Sequence, residues 1–188
     1  MSSIILASQS PRRQELIRSI TDDVEVIVSP AEEILPDGIA PEDAPAYLAA
    51  LKARAVAAVH SDRLVVGADT VVILDGMILG KPRDRDDAAR MLRLLSGRVH
   101  TVITGCCLIL GGREKCFSQR TSVEFYPMSD REIAEYIATG EPLDKAGAYG
   151  IQGKGRLYVK GIEGDFFNVM GLPVGQLKRE MEAFLNNC

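Results

Sequence analysis

Four apolar runs rich in β-branched residues, at positions 4–7, 24–28, 64–74 and 99–110, are separated by segments whose apolar residues recur at helical spacing. Strand-forming runs that take turns with amphipathic helices bury both kinds of apolar face by layering helices on a sheet, so the chain is expected to be α/β. Leu48, Leu51, Ala55 and Val59 share one helical face, and Ala88, Leu92 and Leu95 share another. The stretch 99–126 carries Gly111-Gly112, the chemistry of a two-residue hairpin turn, which makes the sheet mixed rather than wholly parallel. Ser129 and Glu132 have the spacing of a capping box at a further helix start, and Thr139-Gly140 ends that helix. Val174, Leu177, Met181 and Phe184 set the inner face of a last helix over 174–185. No repeat, low-complexity tract or interdomain linker breaks the 188 residues, so a single domain over residues 1–188 is expected, with room for two lobes and a cleft between them.

Charge and cysteine usage narrow the function. A formal charge of −4 argues against a nucleic-acid partner, because backbone affinity needs a broad surplus of Lys and Arg. The run at 64–74 is broken by Asp69-Thr70 and falls short of the roughly 20 residues that span a bilayer, so no membrane partner is expected. The N-terminal stretch lacks the basic-then-apolar layout of a signal peptide, and the expected location is cytoplasmic. Cys106 and Cys107 are adjacent inside an apolar run while Cys116 and Cys188 stand apart. All four are therefore read as reduced thiols, not as a metal pair or a disulfide framework.

Polar residues in apolar surroundings mark the candidate site. Asp69 sits at the centre of a run that should be buried on both faces, where an unpartnered carboxylate costs several kcal/mol. It needs cations, donors or a water-lined cleft; a structural ion pair is the plain alternative. Gly67, two residues earlier on the same face, leaves room for something to approach. Lys52 interrupts a small and apolar helix, and Lys81 follows Gly80 after an Asp75-Gly76 turn, either of which fits a solvated lysine as well. The Gly76–Lys81 spacing is one residue short of a phosphate-binding P-loop, and Pro82 replaces its hydroxyl. Ser8, Ser10, Arg12 and Arg13 occupy the turn from the first strand into a helix, a place suited to an anion. Glu32-Glu33, after the second strand, could supply a carboxylate such as Glu33 to join Asp69 in holding Mg²⁺ or Mn²⁺, ions that prefer oxygen ligands and retained waters; a solvated acidic pair is the plain alternative. His60 and His100 have no thiol at ligand spacing, so zinc has little support and His100 reads as a core histidine. Neither a GxSxG elbow nor a GxGxxG turn occurs. The glycine-rich stretch 144–155 can approach a planar ligand closely, and the Gln152 amide offers one donor and one acceptor face to a uracil or thymine edge.

The segments LASQSPRR (6–13), KA (52–53), GADTVV (67–72), GKP (80–82), HTVITG (100–105), DKAGAYGIQG (144–153) and NVMGLP (168–173) together resemble the Maf family of nucleoside triphosphate pyrophosphatases. They run in family order over nearly the whole chain. The resemblance implies an elongated mixed β-sheet flanked by helices, similar to the inosine triphosphate pyrophosphatases. It also implies metal-dependent hydrolysis of a nucleoside triphosphate to the monophosphate and pyrophosphate. Carried over by position, Asp69 matches the catalytic base on the attacking water, and Arg12 and Arg13, with Ser8 and Ser10, face the triphosphate. Glu33, Lys52 and Lys81 match charged active-site positions. Arg12, Thr70 and Gln152 resemble the branch acting on dTTP and UTP rather than the one acting on methylated guanosine triphosphate. Phe166-Phe167 departs from the family, where tyrosines are frequent. A nucleotide-sensing regulatory protein without turnover is the alternative, and a homodimer is left open as a partner arrangement.

Overall fold

In the computed structural model, which describes residues 3–186, the chain begins β1 (Ile4–Ala7), α1 (Pro11–Ile17), β2 (Val24–Val26), α2 (Ala44–Ala57), β3 (Val65–Leu74) and β4 (Met77–Leu79). It continues α3 (Arg85–Leu95), β5 (Val99–Leu110), β6 (Arg113–Phe125) and α4 (Asp130–Ala138). Three short 3₁₀ turns (Glu141–Asp144, Ala146–Ala148 and Lys154–Tyr158) then lead to β7 (Val159–Glu163), α5 (Phe166–Met170) and α6 (Val174–Asn186). Seven strands form one sheet in the order β2-β1-β3-β5-β6-β7, with β4 paired to β3 off that path. β1 pairs parallel with β2 and β3, whereas β3–β4 and β6–β7 are antiparallel, so the sheet is mixed as expected. Asp75-Gly76 and Gly111-Gly112 all have positive φ, the backbone that two-residue hairpin turns require.

The chain divides into two compact units. One draws on the chain up to Thr70, on Thr104–Gln119 and on the chain from Gly171; the other comprises Val71–Ile103 and Arg120–Met170. The core of the first joins Ile5 and Ala7 of β1, Ala49, Ala53 and Val56 of α2, and Cys107 of β5. α2 buries Leu48 of the face expected of it but only part of Leu51 and Ala55, and Val59, just past its end, is 76% exposed, while Ala49 and Ala53 are fully buried. Small residues turn inward because the helix lies almost on the strands. A Cβ on Gly67 would collide with the Ala49 carbonyl and with Ala53, and one on Gly105 would overlap the backbone of Pro45 and Ala46. The room beside Gly67 is therefore filled by α2, not by a ligand.

The core of the second unit is built from Leu92 and Leu95 of α3, Val102, Val123, Phe125 and Ile133. Ser129 and Glu132 cap α4 reciprocally as expected, the Ser129 hydroxyl accepting from the Glu132 N–H at 3.3 Å and the Glu132 carboxylate accepting from the Ser129 N–H at 2.8 Å. His100 is buried, its Nε2 2.8 Å from the Tyr149 hydroxyl, and its Nδ1 has no partner among the described residues. Burial lowers its pKa to about 4, so it is a neutral core histidine. Cys106, Cys107 and Cys116 are free thiols, and Cys188 lies outside the described residues. No helix among the described residues is long and apolar enough to cross a membrane.

Candidate active site

The first unit gathers most of the predicted residues around Asp69. β3 is buried along nearly its whole length, and Asp69 at its middle is only 9% exposed. Lys52 projects from α2, which the alanine face and Gly67 bring close to β3, and its Nζ lies 2.7 Å from Asp69 Oδ1. The same ammonium is 3.0 Å from Glu33 Oε2 in the loop after β2. Two carboxylates from different elements thus converge on one lysine. Asp69 Oδ2 and Glu33 Oε1 accept no hydrogen bond among the described residues. Those oxygens are hard donors on two carboxylates that share one lysine, a donor type that Mg²⁺ or Mn²⁺ prefers, with waters or phosphate oxygens to complete its shell.

The turn after β1 supplies the second cluster. Pro11 opens α1 at a position where a missing N–H costs nothing, and Ser10 caps it by position only, with no side-chain bond. The buried Ser8 hydroxyl accepts from the Ser10 N–H at 3.2 Å. Arg13 donates through Nε to the Gly171 carbonyl (2.8 Å), through Nη2 to Thr70 Oγ1 (2.9 Å) and through Nη1 to Ser8 Oγ (3.4 Å). Thr70 Oγ1 is in turn 2.8 Å from the buried Thr104 hydroxyl. Burial pulls the Arg13 guanidinium below its ordinary pKa, and attraction from Asp69 opposes the fall. A guanidinium has five N–H groups, so one on Nη1 and one on Nη2 stay available to a ligand. Arg12 makes no hydrogen bond or ion pair among the described residues.

Lys81 and Gln152 belong to the second unit, where both are exposed and make no hydrogen bond or ion pair among the described residues. The Gly80 carbonyl accepts from the Gly147 N–H at 3.1 Å, which ties the stretch bearing Lys81 to the glycine-rich loop bearing Gln152. Gly147 takes φ +67°, and a Cβ there would press on Val72. Sequence reasoning passed over the residue that shapes this loop. The Glu141 carboxylate accepts from the Tyr136 hydroxyl (2.8 Å), the Lys154 N–H (2.8 Å) and the Gly155 N–H (3.1 Å). Desolvation opposes its ionisation, but these donors hold its pKa below the usual range. Thr104 and the Gly171 carbonyl were also missed as Arg13 supports. Thr104 left a signal, a hydroxyl inside the apolar run of β5; a backbone carbonyl leaves none.

Solved structures of similar fold include a Ham1 protein of Staphylococcus aureus (TM-score 0.53, 17% identity, covering 96% of this chain and 98% of that one). Another is a HAM1 protein from Coxiella burnetii (TM-score 0.51, 15% identity, covering all of both chains). These likenesses concern the fold. In sequence the chain is 51% identical over 181 residues to a protein named dTTP/UTP pyrophosphatase from Bacillus velezensis, covering 96% of each. It is 48% identical over 184 residues to a protein of the same name from Bacillus cytotoxicus, covering 98% of this chain and 96% of that one. Residues 3–184 match the family model described as Maf-like protein, and on that near-complete match the chain belongs to the Maf family.

Proposed function

We propose that this protein is a nucleotide pyrophosphatase that hydrolyses dTTP and UTP to the monophosphate and pyrophosphate. Relatives that are about half identical over nearly their whole length carry that name. The observation that carries the reading is the buried carboxylate of Asp69 held by Lys52, with Glu33 on the same ammonium and one oxygen of each carboxylate unengaged. The Asp69 carboxylate takes a proton from the attacking water, whose oxygen bonds to the α-phosphorus. The bond from that phosphorus to the bridging oxygen breaks, and pyrophosphate leaves. Lys52 holds the base in place, and the unused Arg13 donors, with Ser8 and Ser10, bind phosphate oxygens. Positioning and charge carry such a reaction, because phosphoryl transfer asks little covalent help of the protein.

Glu33 and Asp69 would hold Mg²⁺ or Mn²⁺, which supplies charge neutralisation to the phosphates when bound. Lys81, as a further cation for the phosphates, and Arg12, Thr70 and Gln152, as determinants of the pyrimidine base, rest on the motif resemblance. Triphosphates of the cytoplasmic pool are the substrate, so a cytoplasmic location goes with this reading, and self-association is a matter for sedimentation analysis. The test is pyrophosphate release from dTTP, UTP, dCTP and GTP with and without Mg²⁺ or Mn²⁺. Release confined to dTTP and UTP and abolished by EDTA is expected. Saturable binding of dTTP without release would instead favour the sensing protein.

A further inference from the structure

The β5–β6 hairpin brings together three groups that the nucleotide site does not use. Cys107 lies on β5, Glu114 and Cys116 lie on β6, and one ligand atom of each is within 4.8 Å of the others. The turn explains the meeting. Gly111 and Gly112 form a two-residue turn with φ of 57° and 79°, so Leu110 faces Arg113 and, counting outward, Cys107 faces Cys116. The pair nearest such a turn is hydrogen-bonded and the pairs alternate, which makes Cys107 and Cys116 a non-hydrogen-bonded pair. Cα atoms of such pairs lie about 4.5 Å apart with side chains on one face, inside the span of a disulfide.

The two thiols are unequal. Cys107 is fully buried among Ala49, Ala53 and Val56 of α2, whereas Cys116 is exposed. A hydrogen bond to Cys116, together with burial, raises the pKa of Cys107; the same bond lowers that of Cys116. The thiolate is thus favoured on the sulfur that solvent reaches, opposed by Glu114, to which Cys116 Sγ lies at 3.6 Å, and supported by Arg54. Its neighbour Cys106 is buried and raised to about 12, and is inert. A metal ion suits the cluster poorly. Arg54 donates through Nε and Nη2 to both Glu114 oxygens, at 2.8 and 2.6 Å, and a dication would have to displace that guanidinium.

We propose that Cys107 and Cys116 are a redox pair that closes into a reversible disulfide, with hydrogen peroxide as oxidant. The Cys116 thiolate attacks one peroxide oxygen, the O–O bond breaks, and hydroxide leaves a sulfenic acid behind. The Cys107 sulfur attacks that sulfenic sulfur, and its proton leaves with the hydroxyl as water. The hydroxide takes up the proton lost when the thiolate formed. Two thiols are thus oxidised by two electrons, and one peroxide becomes two waters. The second step is intramolecular, so the burial of Cys107 does not block it, and a dithiol reverses it by exchange.

The test is peroxide treatment of the whole folded protein, quenching with an alkylating agent, and peptide mapping by mass spectrometry. The expected product has lost the mass of two hydrogens and links tryptic peptides 99–113 and 116–120, and dithiothreitol releases them. Cys116→Ser should abolish the link and leave Cys107 as a thiol. Cys107→Ala, if it folds, should accumulate a Cys116 sulfenic acid that dimedone traps. Four results would overturn the proposal: Cys116 oxidised beyond sulfenic acid with Cys107 unlinked, a link from Cys116 to Cys188, a link between two copies, or stoichiometric Zn²⁺ binding that both variants lose with no link in wild type. None of these readouts depends on turnover, so they stand apart from the nucleotide reading.

Discussion

Asp69 was legible as a site residue because desolvating a carboxylate in the middle of a β-branched run needs a compensating partner. Its partner, Lys52, lies 17 positions away, and that lysine is shared with Glu33, 36 positions from Asp69. Asp69→Asn keeps the shape but cannot take a proton, so kcat should fall by about 10²–10⁴ with the denaturation midpoint little changed, since Lys52 keeps Glu33. Pyrophosphate release near the wild-type rate from a folded Asp69→Asn protein would remove the general-base role. The two arginines should separate. Arg13→Ala removes three hydrogen bonds as well as two free donors, so kcat/KM should fall about 10–100-fold for every nucleotide. Arg12→Ala breaks no internal bond and should change the ratio of dTTP to GTP turnover while stability stays put. Equal losses toward all nucleotides in both variants would show that the arginines share one task.

At the scale of elements, the approach of α2 to the strands decides where Lys52 arrives. The helix can come so close because alanines face Gly67 and Gly105. Helical spacing alone pointed to the leucine and valine face, because it reads size and polarity but not how near the neighbouring backbone stands. Gly67→Ala should therefore push on the Ala49 carbonyl, a backbone atom that cannot swing aside, and cost about 3 kcal/mol or more. Turnover should fall with it, as Lys52 is carried away from Asp69. Urea unfolding and pyrophosphate release on the same sample test both halves. A variant as stable and active as wild type would mean that α2 shifts freely. The same contrast appears at Glu141, which no local pattern singles out and which accepts one hydrogen bond from Tyr136 of α4 and two from the loop it shapes.

For the whole molecule, the buried His100 sets an acid limit. Its pKa falls from 6.5 in the unfolded chain to about 4 in the folded one, so the unfolded state binds more protons between those values. The stabilisation is complete above about pH 6.5 and is lost as pH falls toward 4. At about 1.4 kcal/mol per pKa unit the loss is on the order of 3 kcal/mol. Urea midpoints at pH 7, 5.5 and 4.5 should decline, and His100→Gln, although less stable at pH 7, should decline less steeply. Parallel curves for the two proteins would assign the acid sensitivity to other groups.

Local patterns were enough to locate the main strands and helices, though not β7 or α5, and to show that the sheet is mixed, where the hairpin turns and the α4 cap lie, and which polar residues stand out from apolar runs. These properties follow from local periodicity, glycine conformation and the cost of burying charge, all of which are written in neighbouring residues. Packing in three dimensions was needed to show that the space beside Gly67 belongs to a helix, that Lys52 bridges Asp69 and Glu33, and that Arg13 is braced by Thr70 and the Gly171 carbonyl. Those pairings join residues far apart in the chain, one through a backbone atom common to every residue, so no local pattern can encode them.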